Sequence, residues 1–277
     1  MTKEEFLHLR DYIHKKTGIF FTEKKMYLLE SRLTNRLNEL GFASYEDYYY
    51  FLKYGGDKVN IEIGNLYDVI TTNETSFFRN PPQLNAFKLI LQKNYMNGKT
   101  LGSPLRIWSA ACSTGEEPYT LAIILMELME STKKNIPFTI YATDISKKAI
   151  ESAKKAVFGN YSVRSMDKSY INKYFFEENS FYKLKDIVKK NIRFENMNLV
   201  DADSYRKYNY MDIIFCRNVL IYFDENVKKM VIDFMYKSLK PGGFLTIGHA
   251  ESLHNISKTF QPLMFPGSIA YQKDNKL

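Results

Sequence analysis

The stretch Leu105-Arg-Ile-Trp-Ser-Ala-Ala-Cys-Ser-Thr-Gly-Glu-Glu-Pro118 decides the fold. Its first seven residues have the largely apolar run of a buried strand. Small residues and Gly115 then permit a tight turn, and Pro118 begins a helix carrying Leu121, Ile124, Leu125 and Leu128. Working outward, Phe138-Thr-Ile-Tyr-Ala-Thr-Asp144 forms a second strand, and Ser146 caps a helix to about Phe158. Further strand candidates lie at 191–197, 211–217 and 243–249, with a helix from about Asp224 to Leu239 between the last two. Ile269-Ala-Tyr-Gln-Lys273 has the pattern of a closing edge strand. Strands alternating with helices specify an α/β fold around a mostly parallel, doubly wound sheet. Residues 160 to 190 are irregular and basic, with no clear sheet-building pattern.

Before this sheet the pattern is helical. Apolar residues recur at helical spacing in Phe6, Leu9 and Ile13, and again in Met26, Leu29, Leu33, Leu37 and Leu40. Gly18 and Gly41 fall where helix C-termini want them, and Ser44 to Asp47 has capping-box spacing. The expected organisation is a small all-helical domain over 1–70, a linker and lid over 71–100, and the α/β domain over 101–277 with a basic insertion at about 160–190.

Composition narrows the function. The chain is 45% hydrophobic and 25% charged, an ordinary globular balance. No apolar run reaches the roughly 18 residues of a membrane span, and the first residues lack the apolar stretch of a signal peptide. A cytoplasmic location is expected. Cys112 and Cys216 are too few for a disulfide framework and lie in apolar segments, where buried thiols are expected. The four histidines, His8, His14, His249 and His254, lack metal-ligand spacing, so no metal is expected. Of the net charge of +8, most is local: residues 147 to 193 hold twelve Lys/Arg against five Asp/Glu. That face is either simply solvated or meets an acidic partner.

Ligands of such sheets sit at the carboxyl ends of the strands, and the unusual residues fall there. The turn after the first strand is neither a GxGxxG nor a phosphate-binding loop. Glu116 and Glu117 beside a helix N-terminus repel phosphate but suit a cationic ligand, such as a sulfonium bearing an α-amino group; alternatively they complement the helix dipole. Asp144 ends the second strand, where a carboxylate accepts hydrogen bonds from ribose hydroxyls or caps a helix. The fourth strand ends in Phe215-Cys-Arg-Asn-Val-Leu-Ile-Tyr-Phe223, which brings Arg217, Asn218 and Tyr222 over the ligand position, unless Tyr222 is core. Thr71-Thr-Asn-Glu-Thr-Ser-Phe-Phe-Arg79 offers Asn73, Thr75 and Arg79 as lid residues or is a plain linker.

Together, TTNETSFFR at 71–79, IWSAACSTGEEPYTLA at 107–122, ATDIS at 142–146, FCRNVLIYF at 215–223 and GHAESL at 248–253 resemble the CheR family, over nearly the whole chain. These are the protein-glutamate O-methyltransferases of bacterial chemotaxis. The resemblance implies a Rossmann-like S-adenosylmethionine methyltransferase domain behind the helical domain, with S-adenosylhomocysteine as product. It implies that Asn73, Thr75 and Arg79 contact the cofactor or line the catalytic mouth. One of Glu116 and Glu117, with Glu117 favoured, would hold the methionine part, Asp144 the ribose, and Asn198 and Leu199 the adenine. Arg217, Asn218 and Tyr222 would close the site near the departing methyl group. Arg79 would steer the incoming carboxylate and Tyr222 position it.

The implied partner is the acidic helical region of methyl-accepting chemotaxis receptors, with no nucleic acid, no membrane insertion and a monomeric enzyme. On a helical wheel Lys25, Arg32 and Arg36 share a stripe that would dock this region, although Glu39 is placed to pair with Arg36. Some family members tether to a receptor tail through a glycine-rich β-subdomain. The corresponding Phe175 to Arg193 here is lysine-rich without glycine, so weak or absent tethering is expected. Two alternatives remain at this stage. A nucleic-acid methyltransferase is suggested by the pI near 9.1, but Asn-Val-Leu-Ile-Tyr replaces the Pro-Pro-aromatic turn, and Asn80-Pro-Pro-Gln83 precedes the sheet. A cofactor-binding adaptor without turnover is the other.

Overall fold

The computed structural model describes residues 1–96 and 103–275. The boundary expected at 100–101 lies outside the described residues, as do the last two positions of the chain. Four helices open the chain: α1 (Lys3–Thr17), α2 (Met26–Leu40), α3 (Tyr45–Tyr54) and α4 (Lys58–Ile70). Thr2 and Glu5 close a reciprocal capping box on α1, and Ser44 caps α3 through the Asp47 amide. Gly18 ends α1 at φ 74°, and a Cβ there would come within 2.7 Å of Val227 and 2.8 Å of Val200. Only glycine satisfies both the left-handed turn and that close approach.

The segment expected to be a linker and lid, 71–100, contains α5 (Pro81–Tyr95). Two prolines start α5 where their missing N–H groups cost nothing, and Leu84, Phe87, Ile90 and Leu91 bury its inner face. The sheet domain then runs β1 (Leu105–Ala110), α6 (Glu116–Thr132), β2 (Phe138–Asp144) and α7 (Lys147–Lys155). The insertion follows as β3 (Val157–Gly159), α8 (Asn160–Val163), α9 (Lys168–Tyr174), β4 (Phe175–Glu178), β5 (Phe181–Leu184) and α10 (Asp186–Lys189). The chain closes with β6 (Ile192–Asn196), β7 (Met211–Cys216), α11 (Glu225–Ser238), β8 (Leu239–Ile247), β9 (Phe260–Phe265) and β10 (Ser268–Lys273).

Seven strands form one sheet in the order β6-β2-β1-β7-β8-β10-β9, parallel except for β10, which is antiparallel to both neighbours. Strand order reverses at β1: β2 lies on one side, β7 on the other, and the crevice opens beyond their carboxyl ends. One apolar layer packs α5 and α6 against the sheet and continues into the insertion. The other layer runs unbroken from Phe6, Leu9 and Leu33 of the helical domain to Ile214 and Val231.

Two expectations are corrected. The 160–190 segment is not irregular: β3, β5 and β4 form a three-stranded antiparallel sheet, and Asn179 and Ser180, both at positive φ, turn β4 into β5. Its strands of three and four residues are too short for a period to show. β10 is not the edge either; it pairs with both β8 and β9, and β9 takes the edge, where Pro262 is tolerated.

Candidate active site

A cleft of about 1070 Å³, its open mouth included, lies at the carboxyl ends of β1 and β7. Its inner wall is built by the turn after β1. Ala111, Ser113 and Gly115 all have positive φ, and a Cβ on Gly115 would stand 2.9 Å from that of Ala153. This winding aims the Ser113 amide at Asp144 Oδ2 at 2.8 Å, while the Ser146 amide reaches Oδ1 at 2.9 Å. Burial raises the Asp144 pKa, partly offset by these amides. Each oxygen retains capacity for one further donor from the cleft.

The two glutamates at the start of α6 part company. Glu117 lines the cleft; its Oε1 accepts from Ser109 Oγ at 2.6 Å and its Oε2 from Arg217 Nη1 at 2.9 Å. Glu116 is buried and turned away, accepting from Thr114 Oγ1 and from Ser162 Oγ of the insertion. It does not line the cleft, so the expected cofactor contact falls to Glu117. Helical rotation of about 100° per residue puts only one of two successive side chains on the strand-facing side.

Arg217 has a further role beyond the one expected. It is buried, and its Nε, Nη1 and Nη2 donate to Gln83 Oε1, Glu117 Oε2 and the Arg79 carbonyl at 2.7, 2.9 and 2.8 Å. It lines the cleft as expected, and in doing so it also joins β7, α5, α6 and the 71–79 segment. Gln83, from the tetrapeptide discounted above, completes this joint by donating to the Ile247 carbonyl. A glutamine on the buried face of a helix that otherwise presents Leu84, Phe87 and Leu91 was the available signal.

Asn73, Thr75 and Arg79 line the cleft from the 71–79 segment, and Asn218 and Tyr222 line it from the loop after β7. Asn73 accepts from Ser113 Oγ through its carbonyl, and Arg79 Nη1 donates to the Glu74 carbonyl at 2.9 Å. Met197 and Leu199 form an apolar wall. Asn198 lines it too, but its side chain is committed to the Lys16 carbonyl and the Val200 amide. Thr17 and Ile19, which the sequence did not single out, complete the wall from the helical domain. Ile19 forms an antiparallel bridge with Phe223, and the Phe20 amide donates to the Tyr222 carbonyl at 2.8 Å.

The expected docking stripe is divided. Arg36 is spent inside the fold: it pairs with Glu62, which also accepts from Tyr48 and Asn65, and with Glu39. Burial works to raise the Glu62 pKa, but these donors outweigh it and the pKa is lowered. Arg32 turns to the Ile70 carbonyl and Thr72 Oγ1. Burial lowers its pKa, and nearby Tyr222, which lines the cleft, opposes the shift. Lys25 is exposed and makes no ion pair among the described residues.

The donor set fits a cationic nucleoside. Three acidic residues, Glu74, Glu117 and Asp144, line the cleft beside an apolar wall, and among the described residues no lysine lines it. No group of three or more His, Cys, Asp or Glu residues capable of holding a metal occurs among the described residues. No described helix is long and apolar enough to cross a membrane. Cys112 and Cys216 are buried free thiols.

Comparison with known proteins agrees with this site. Residues 73–267 match the CheR methyltransferase, SAM binding domain, and residues 4–71 the CheR methyltransferase, all-alpha domain. Chemotaxis protein methyltransferase 2 of Vibrio cholerae is 34% identical over all of this chain and 95% of its own length. Chemotaxis protein methyltransferase of Borreliella burgdorferi is 35% identical over 91% of this chain and 89% of its own. Chemotaxis protein methyltransferase 1 of Pseudomonas aeruginosa is 30% identical over 97% of both. With both halves matched and the cleft between them furnished for S-adenosylmethionine, the chain belongs to the CheR family of S-adenosylmethionine-dependent methyltransferases.

Proposed function

We propose that the chain methylates glutamate side chains in the helical cytoplasmic region of chemotaxis receptors, giving methyl esters. The observation that carries this is a cleft lined by the carboxylates of Glu117 and Asp144 together with Arg79 and Tyr222. S-adenosylmethionine supplies an electrophilic methyl group on a sulfonium. Glu117, fixed by Ser109 and Arg217, would hold the α-amino group, and Asp144 the ribose hydroxyls. Met197 and Leu199 would cover the base. A glutamate side chain, with a reference pKa near 4.3, arrives ionised at neutral pH and needs no general base. This accords with a cleft lined by neither histidine nor lysine among the described residues. Arg79 would steer that carboxylate and Tyr222 would orient it. Catalysis then rests on alignment and on exclusion of water by the 71–79 segment.

Receptor recognition would involve Lys25 and the outer side of Arg32, rather than a three-residue stripe. The test is to incubate the protein with radiolabelled S-adenosylmethionine and receptor-containing membranes, then treat the product with alkali. Label on receptor released as methanol is the expected result. Cofactor binding with no base-labile label would reject this proposal and favour the adaptor role.

A further inference from the structure

The loop that carries Asn218 and Tyr222 has an anchor in a motif that the site so far leaves unused, Gly248-His-Ala-Glu-Ser-Leu253. Glu251 folds back under this loop. Its Oε2 accepts the Gly248 amide at 2.5 Å and the Asn218 amide at 3.3 Å, and its Oε1 accepts the Ile221 amide at 3.1 Å. Among the described residues no Lys or Arg pairs with it, so backbone N–H groups alone compensate this carboxylate. Burial raises its pKa, and the amides of Gly248, Ile221 and Asn218 oppose that rise.

The surroundings are shaped for this contact. A Cβ on Gly248 would fall 2.6 Å from Glu251 Oε2 and 2.9 Å from the Asn218 nitrogen, so any side chain there displaces the carboxylate. Asn218 is held at φ 60°, a conformation that costs free energy and needs an external tie. Among the described residues the Tyr222 side chain makes no hydrogen bond, and its loop is also held by the Phe20 amide at the Tyr222 carbonyl. Without Glu251, several amides of a solvent-edged loop would lose their acceptor at once.

We infer that Glu251 is a positioning residue for methyl transfer: it gathers the amides of Asn218, Ile221 and Gly248 so that Asn218 and Tyr222 meet the methyl acceptor. This rests on the proposed role of the loop and goes beyond it by assigning what sets the loop's geometry. Glu251 touches neither cofactor nor acceptor in this assignment. Its effect should therefore appear in turnover rather than in cofactor affinity, because Glu117 and Asp144 stand on separate elements.

The experiment compares Glu251→Gln, Glu251→Asp, Gly248→Ala, Tyr222→Phe and the Glu251→Gln/Tyr222→Phe double variant. Receptor methylation gives kcat and KM, and titration calorimetry gives the cofactor Kd. Expected for Glu251→Gln and Gly248→Ala is a fall in kcat of about tenfold, the scale of one lost charge-assisted hydrogen bond, with the Kd unchanged. Glu251→Asp should recover part of the turnover, and the double variant should be no slower than the worse single one. Full turnover in Glu251→Gln, or losses that multiply in the double variant, overturns the inference. Should the Glu251 variants fail to fold, amide hydrogen exchange on the unaltered protein decides. Slow exchange at Asn218, Ile221 and Gly248 supports the anchor, and exchange as fast as an open loop overturns it. Full turnover in Tyr222→Phe alone rejects instead the role given to Tyr222, since the exchange measurement reads the anchor independently.

Discussion

The two walls of the cleft are made differently. The wall proposed to hold the cofactor is built at strand ends: Asp144 closes β2 and is fixed by the Ser113 and Ser146 amides, and Glu117, in the first turn of α6, is fixed by Ser109 of β1 and by Arg217 directly after β7. The wall proposed to meet the acceptor consists of loops tied together across long distances in the chain. Arg32 reaches Thr72, Phe20 reaches Tyr222, Arg217 reaches Arg79, and Tyr161 of the insertion reaches Glu74. A sheet end is rigid because its hydrogen-bond ladder is paid for by the whole domain, whereas a loop wall is only as fixed as its ties. Binding and turnover should therefore separate under mutation according to the wall touched.

The largest effects are expected where a carboxylate loses its guanidinium. Arg36→Ala should cost about 3–5 kcal/mol, because buried Glu62 is left uncompensated, and Arg217→Ala should cost less, because Glu117 faces the open cleft. Denaturant titration measures this. Cofactor binding should collapse only in Arg217→Ala, which joins the walls; a similar loss in Arg36→Ala would break the distinction. For Arg36–Glu62 the sign with pH follows from the lowered Glu62 pKa: the stabilisation is present above the ordinary carboxylate value and lost as pH falls through the lower folded value.

On the cofactor side, Asp144→Asn should weaken S-adenosylmethionine binding about 100-fold, the upper end for a hydrogen bond to a charged group. The kcat at saturating cofactor should stay within about threefold, the context-dependent remainder of such a contact. Because burial raises the Asp144 pKa, the carboxyl protonates at a higher pH than an ordinary aspartate as acid is added. Cofactor affinity should decline in that range, and calorimetry across pH should find the decline absent in Asp144→Asn. On the acceptor side the pattern should invert. Arg79→Ala is expected to lower kcat/KM for receptor about tenfold with cofactor Kd unchanged, and full turnover in both Arg79→Ala and Tyr222→Phe would remove their assignment. Smallest is Lys25→Glu, an exposed charge expected to raise receptor KM about twofold and to lose that effect at high salt.

The same contrast explains what could be read from the sequence. The turn from β1 to α6 and the carboxylate at Asp144 were legible because strand, small-residue turn and helix start are written locally. Gly18, Gly41 and Ser44 announced their caps for the same reason. The bracket made by Arg217 was not legible, since its three acceptors lie at residues 79, 83 and 117. Arg36 looked like part of a docking stripe because its partner Glu62 belongs to another helix. Glu251 was visible only as part of a motif; two of its three amide partners come from a loop some thirty residues earlier. The helix from Pro81 falls within the expected linker, although Leu84, Phe87 and Leu91 carry its period.

The bridge between Ile19 and Phe223 has a consequence for how this enzyme can be taken apart. A cut near residue 70 would not release a recognition module and a catalytic module. It would strip Thr17 and Ile19 from the cleft and leave the backbone beneath Tyr222 without its partner at Phe20. Target choice and chemistry are thus soldered along one seam. On the proposed docking role of Lys25, redirecting the enzyme to a different receptor would work on the outer surface and leave that seam intact.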